Sequence, residues 1–113
     1  MVKKLDKMFC ILMVMAASGH LMGTFKMLEP GTGIFVWSLS GVVAALLLAS
    51  INFLRNSRPQ DKTVTALALV GNISWLVIVF LFGQSIGNLF DFRVLFHGVA
   101  ALGLAIFSLR NLL

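Results

Sequence analysis

The chain has 113 residues, of which 59% are hydrophobic and 12% charged, with a net charge of +5. A soluble domain carries about 25% charged residues, and a fold this short has a large surface to cover, so water is excluded as the solvent for most of it. The basic excess does not point to nucleic acid, because Lys and Arg fall in short segments between apolar runs and form no stripe along a face.

Four apolar runs, at about 8–25, 33–54, 64–86 and 92–110, are each near the ~20 residues that cross a ~30 Å hydrocarbon core. They predict an all-α fold, an integral membrane up-down four-helix bundle forming one domain over residues 1–113. Lys3, Lys4 and Lys7 precede the first run, and Ala16-Ala17-Ser18-Gly19 offers small residues of the kind found at signal-peptide cleavage sites. An uncleaved first helix is expected. Cys10 is the single cysteine, which excludes an intramolecular disulfide and a cysteine-built zinc site within one chain; a buried, inert thiol is expected. Met8, Met15 and Met22 recur at seven-residue spacing along one helix face. Thioethers suit Cu(I), but helix packing is the expected use. His20 lies in the second half of this run, between Gly19 and Gly23.

Glu29-Pro30-Gly31-Thr32-Gly33 is a turn signal. The second run carries Trp37 as an interfacial anchor, Ser40, the small residues Gly41, Ala45 and Ala49 at i, i+4 spacing, and Asn52. RNSRPQDK over 55–62 is a solvated loop, with Asp61 or Thr63 placed to cap the third helix. The third run contains Asn72, Ser74, mid-span Trp75, and Gly83 and Gly87 flanking Gln84. Asn72-Ile73-Ser74 matches a glycosylation sequon but lies inside a span. The short link 87–91 makes the third and fourth helices antiparallel neighbours. The fourth run holds His97 beside Gly98, then Ala101 and Ala105, with Arg93 and Arg110 at its ends. Gly19, Gly23, Gly41, Ala45, Ala49, Gly83, Gly87 and Gly98 are expected to let helices approach closely, since association in lipid depends on tight contact. Both prolines lie between runs, so unbroken helices are expected.

Lys3, Lys4, Lys7, Arg55, Arg58, Lys62 and Arg110 lie on one side, against Lys26 and Arg93 on the other. The positive-inside rule then puts both termini in the cytoplasm of what the short chain and basic ends suggest is a bacterial inner membrane. Salt bridges are expected between the first and third loops, among Lys26, Glu29, Asp91 and Arg93.

Polar residues inside a membrane are costly and are candidates for function. His20 and His97 should sit at similar depth on neighbouring helices, with Gln84 level with them and Ser40 nearby. Two facing histidines can hold a b-type haem, a metal, a quinone or a proton. They can equally bond across helices to Ser40 or Gln84. Asn52 and Asn72 form a second polar level and are expected to pair as amides. Asp6, Glu29, Asp61 and Asp91 all sit at span boundaries, which argues against a proton-coupled exporter. No nucleophile-base-acid set is visible. The expected role is a non-catalytic accessory or interaction subunit in the lipid bilayer, with a ligand between His20 and His97, as a homodimer or in a larger membrane complex. A homodimeric small-solute transporter or channel and a haem b redox protein are the alternatives.

Overall fold

The computed structural model describes residues 1–113 and is helical outside its turns. Helices α1 (Val2–Met27), α2 (Gly33–Ser57), α3 (Lys62–Ser85) and α4 (Phe92–Leu112) are each long and apolar enough to span a membrane. At about 1.5 Å per residue, even α4 reaches past a ~30 Å hydrocarbon core.

Three helices begin on a side-chain cap that takes up otherwise unpaired N–H groups. Thr32 accepts from the Phe35 N–H at 3.3 Å, Asp61 from Val64 at 3.1 Å and Asp91 from Arg93 at 2.9 Å. Asp91 also takes the Arg93 guanidinium at 2.9 Å, and these bonds hold its carboxyl below the usual carboxylate range. Asp91–Arg93 is therefore a local ion pair. Lys26 and Glu29 join no salt bridge, so the expected bridges between the first and third loops do not form.

α3 ends in a Schellman turn. The Asn88 N–H reaches the Gly83 carbonyl and the Gly87 N–H reaches Gln84, each at 3.0 Å. Gly87 supplies the φ of +67° that this reversal needs. α1 starts about six residues before the first apolar run, and α2 continues three residues past the second. Hydropathy stops at the first charges, whereas helical bonding continues because Asp6 and Arg55 satisfy each other (below).

α1 packs against α2 and α4, and α3 against α4 and α2. The core is built from small side chains: Cys10, Met13 and Ala17 of α1 meet Ala45, Leu48 and Ala49 of α2 and Ala100, Ala101 and Leu104 of α4. Gly41 receives the His20 ring, Gly83 receives Leu89 and Val94, and Gly98 faces Val79. Gly71 meets Leu48 about as closely as Gly83 meets Leu89, and Gly103 against Phe9 is the tightest of these contacts. Three of the expected packing glycines are used differently. Gly19 and Gly23 have no atoms of another helix in contact range, because they face outward from α1, and Gly87 serves the turn. The outer surface is aliphatic: Leu47 is 65% exposed, Val70 63% and Ile106 58%. Trp37 projects from the first turns of α2, 78% exposed.

Candidate functional site

Two polar tiers cross the otherwise apolar interior. The tier nearer the chain termini is anchored by Asp6 and Arg55. Arg55 Nη1 donates to Asp6 Oδ2 at 2.9 Å and Nη2 to Asp6 Oδ1 at 2.6 Å, a bidentate pair. The Arg55 side chain is fully buried and that of Asp6 nearly so. Asn56 adds a third donor to Asp6 at 3.0 Å and also donates to the Lys3 carbonyl. The remaining Arg55 nitrogen, Nε, donates to Asn52 Oδ1 at 3.2 Å. Asn52 and Asn72 exchange amide bonds of 2.9 and 3.1 Å, and Asn72 donates onward to Ser108 Oγ at 3.3 Å. One connected network thus joins α1, α2, α3 and α4. Its opposite charges cancel and no buried side-chain N or O lacks a partner, the condition under which a buried ion pair is tolerated in low dielectric.

The Asn52–Asn72 pair is as expected, but the placement of Asp6 and Arg55 corrects the sequence reading. Charge alone puts Asp6 at a boundary and Arg55 in a loop; in the fold both are buried helix residues. The pattern held the signal: Asp6, Cys10, Met13 and Ala17 recur at helical spacing, as do Ala45, Leu48, Asn52 and Arg55. Each charge therefore lies on the core-facing stripe of its own helix.

The second tier contains the histidines. His20 Nε2 lies 3.1 Å from both the carbonyl oxygen and Oγ of Ser38. A carbonyl only accepts, so His20 carries its proton on Nε2. Thr24 closes this cluster, donating to the His20 carbonyl at 2.8 Å and sitting 2.6 Å from Ser38 Oγ. Across the interior, the Trp75 indole N–H donates to His97 Nδ1 at 3.4 Å. This bond gives the mid-span indole its acceptor and leaves the His97 proton on Nε2. The two imidazoles stand 6.0 Å apart between centroids, nearly perpendicular at 88°.

The structure brings His20 and His97 together as expected, but not with the expected partners. Ser40 points outward and donates to the Trp37 carbonyl, because it is two positions, about 200° of helical turn, from Ser38. Gln84 is exposed and lines a separate cavity with Gly83, Gly87, Asn88, Leu89 and Phe90. Ser38 and Trp75 are the residues that bond the imidazoles, and Thr24 joins them through Ser38 Oγ. Thr24, Ala17 and Cys10 are seven apart on one stripe, as are Ser38, Ala45 and Asn52, and this spacing identifies the inward serine.

The residues do not fit a haem between His20 and His97. His97 Nδ1 accepts from Trp75, so Nε2 keeps the proton and offers no lone pair to iron, and α1 and α4 pack directly, with Ala17, Ala100 and Ala101 in one core. The glycines that might open a slot do not: Gly41 and Gly98 are covered by His20 and Val79, and Gly19 and Gly23 face away. No third histidine, cysteine or carboxylate joins the pair, so a metal held in the manner of three- or four-ligand protein sites does not fit either. The visible spectrum of the purified protein should be featureless; a Soret band lost in His20→Ala or His97→Ala would overturn this.

Comparison with protein-family profiles, with curated proteins and with solved structures finds no match to this chain.

Proposed function

We propose that the protein is a non-catalytic subunit of a bacterial inner-membrane complex, an up-down four-helix bundle with both termini in the cytoplasm, acting through its outer helix faces. The observation that carries this reading is the closed interior. Every fully buried side-chain N or O is bonded within the chain, and the imidazoles keep only His20 Nδ1 and His97 Nε2 outside those bonds, which favours contacts with other molecules on the outside. Gly19 and Gly23 suit such a contact: spaced i, i+4 on α1 and open above, they admit another helix backbone closely. Affinity purification from native membranes in mild detergent should recover the protein with a second polypeptide. Gly19→Leu/Gly23→Leu should lose that polypeptide while unfolding as the unsubstituted protein does. A chain that emerges alone and monomeric, or that drives solute flux into proteoliposomes, would overturn the reading and in the latter case favour the transporter.

The proposed orientation is supported by charge after ion pairing is counted. Arg55 and Arg93 are paired, which leaves Lys3, Lys4, Lys7, Arg58, Lys62 and Arg110 on the terminal side against Lys26 on the other. Cys10 is fully buried, so it should leave a silent background for thiol labelling. In intact cells a membrane-impermeant maleimide should label Thr32→Cys and not Arg58→Cys; the reverse pattern would invert the protein.

A further inference from the structure

A cavity of about 300 Å³ opens at the end of the molecule that holds both termini, between the start of α1, the α2–α3 loop and the end of α4. Its lining includes Lys3, Asp6, Asn56, Phe107, Arg110 and Asn111. The volume is at the lower end for small-molecule sites. The one acidic residue lining it, Asp6, is already matched by the two Arg55 bonds and one from Asn56, so it does not set a net negative charge against an anion. Lys3 and Arg110 are both exposed, and neither joins a salt bridge or donates a side-chain hydrogen bond. The cavity is therefore lined by two free cations, with a neutralised pair behind them. The backbone that carries them is tied down: Asn56 donates to the Lys3 carbonyl at 3.2 Å, and Lys62 to the Asn111 carbonyl at 2.5 Å, at the end of α4. Val2 and Phe107 supply the apolar part of the lining.

We propose that this cavity binds the phosphate headgroup of an anionic phospholipid, with Lys3 and Arg110 as its cationic ligands and the acyl chains lying along the outer faces of α1 and α4. Basic pockets between membrane helices on the cytoplasmic side recognise anionic headgroups in this way, and an apolar border beside a cationic one suits a lipid better than a free ion. The assignment rests on the membrane reading above.

The test is native mass spectrometry of delipidated protein in detergent, titrated with phosphatidylglycerol, phosphatidylcholine or inorganic phosphate. Phosphatidylglycerol should bind about tenfold or more tightly than phosphatidylcholine. Lys3→Gln/Arg110→Gln should weaken it about tenfold or more, at about 1 kcal/mol per basic residue, whereas Arg58→Gln, a basic residue outside the lining, should not. Both substituted side chains are exposed, so an unchanged unfolding midpoint verifies the fold. Equal binding of the two lipids, an unaffected double variant, or an equal loss in Arg58→Gln would overturn the site. Inorganic phosphate binding as tightly as phosphatidylglycerol would assign it to a free anion and overturn the lipid. Protein that stays monodisperse without detergent would instead overturn the membrane reading itself, which separates the two failures.

Discussion

Asp6→Ala should destabilise the folded protein by about 3–5 kcal/mol, the cost of leaving one member of a buried ion pair unmatched. Arg55 is fully buried and two of its three bonded nitrogens go to Asp6, so without the carboxylate a guanidinium is left in the interior with Asn52 alone. Arg55→Met should cost a similar amount, because Asp6 then keeps only the Asn56 donor. The informative variant is the pair Asp6→Leu/Arg55→Met. Replacing both charges with apolar groups of comparable size is often neutral or stabilising, so the double variant should recover most of the loss. Arg55→Lys should recover little, since an ammonium reproduces neither the fork nor the bond to Asn52. Denaturant unfolding in detergent across the four variants measures the coupling as a double-mutant cycle. Additive single losses, with no rescue in the pair, would contradict the geometry of this tier.

The second large effect lies where α1 meets α4. A side chain at Gly103 would overlap the Phe9 ring, including Cγ close to the backbone, and Phe9 itself packs in a tilted contact with Phe107, 5.9 Å between centroids. Rotation about the ring axis alone cannot clear that overlap. Gly103→Leu should therefore cost about 3 kcal/mol, at the upper part of the range for overpacked cores, although leucine is the better helix former by nearly 1 kcal/mol. Adding Phe9→Ala should return at least half of the loss by vacating the space. Gly19→Leu, on an open face, should show no such cost, and the contrast separates close packing from helix propensity. A Gly103→Leu protein with unchanged unfolding would mean that α1 and α4 are not this close.

These two effects mark what could and could not be read from the linear chain. Four helices, their turns at Pro30 and Pro59, the Asp61 cap, the Asn52–Asn72 pair and the nearness of His20 to His97 follow from hydropathy, turn residues and depth, which are local or one-dimensional quantities. Asp6 and Arg55 were placed by charge alone, which assigns any ion to the boundary; what buries them is a partner 49 positions away in sequence. Depth does not specify rotation about the helix axis, so it does not distinguish the inward Ser38 from the outward Ser40. The glycines show the same gap. Spacing of four residues identifies a flat strip on a helix, but not whether its own chain or an outside molecule lies against it, so Gly41 and Gly19 look alike in sequence and differ in the fold.

On the membrane reading proposed above, the ion pair between α1 and α2 also bears on how the chain enters the bilayer. When the first helix leaves the ribosome, Asp6 has only the flanking lysines, which reach toward the headgroups, and the Arg55 guanidinium that pairs with it in the core is still to be synthesised. The early helix is then poorly suited to settle alone at full depth. Its amino-terminal turns are better held at the headgroups until the second helix arrives, after which the two can sink together as a hairpin. Translocation intermediates arrested before residue 55 should therefore remain extractable by alkali, and those arrested beyond α2 should not.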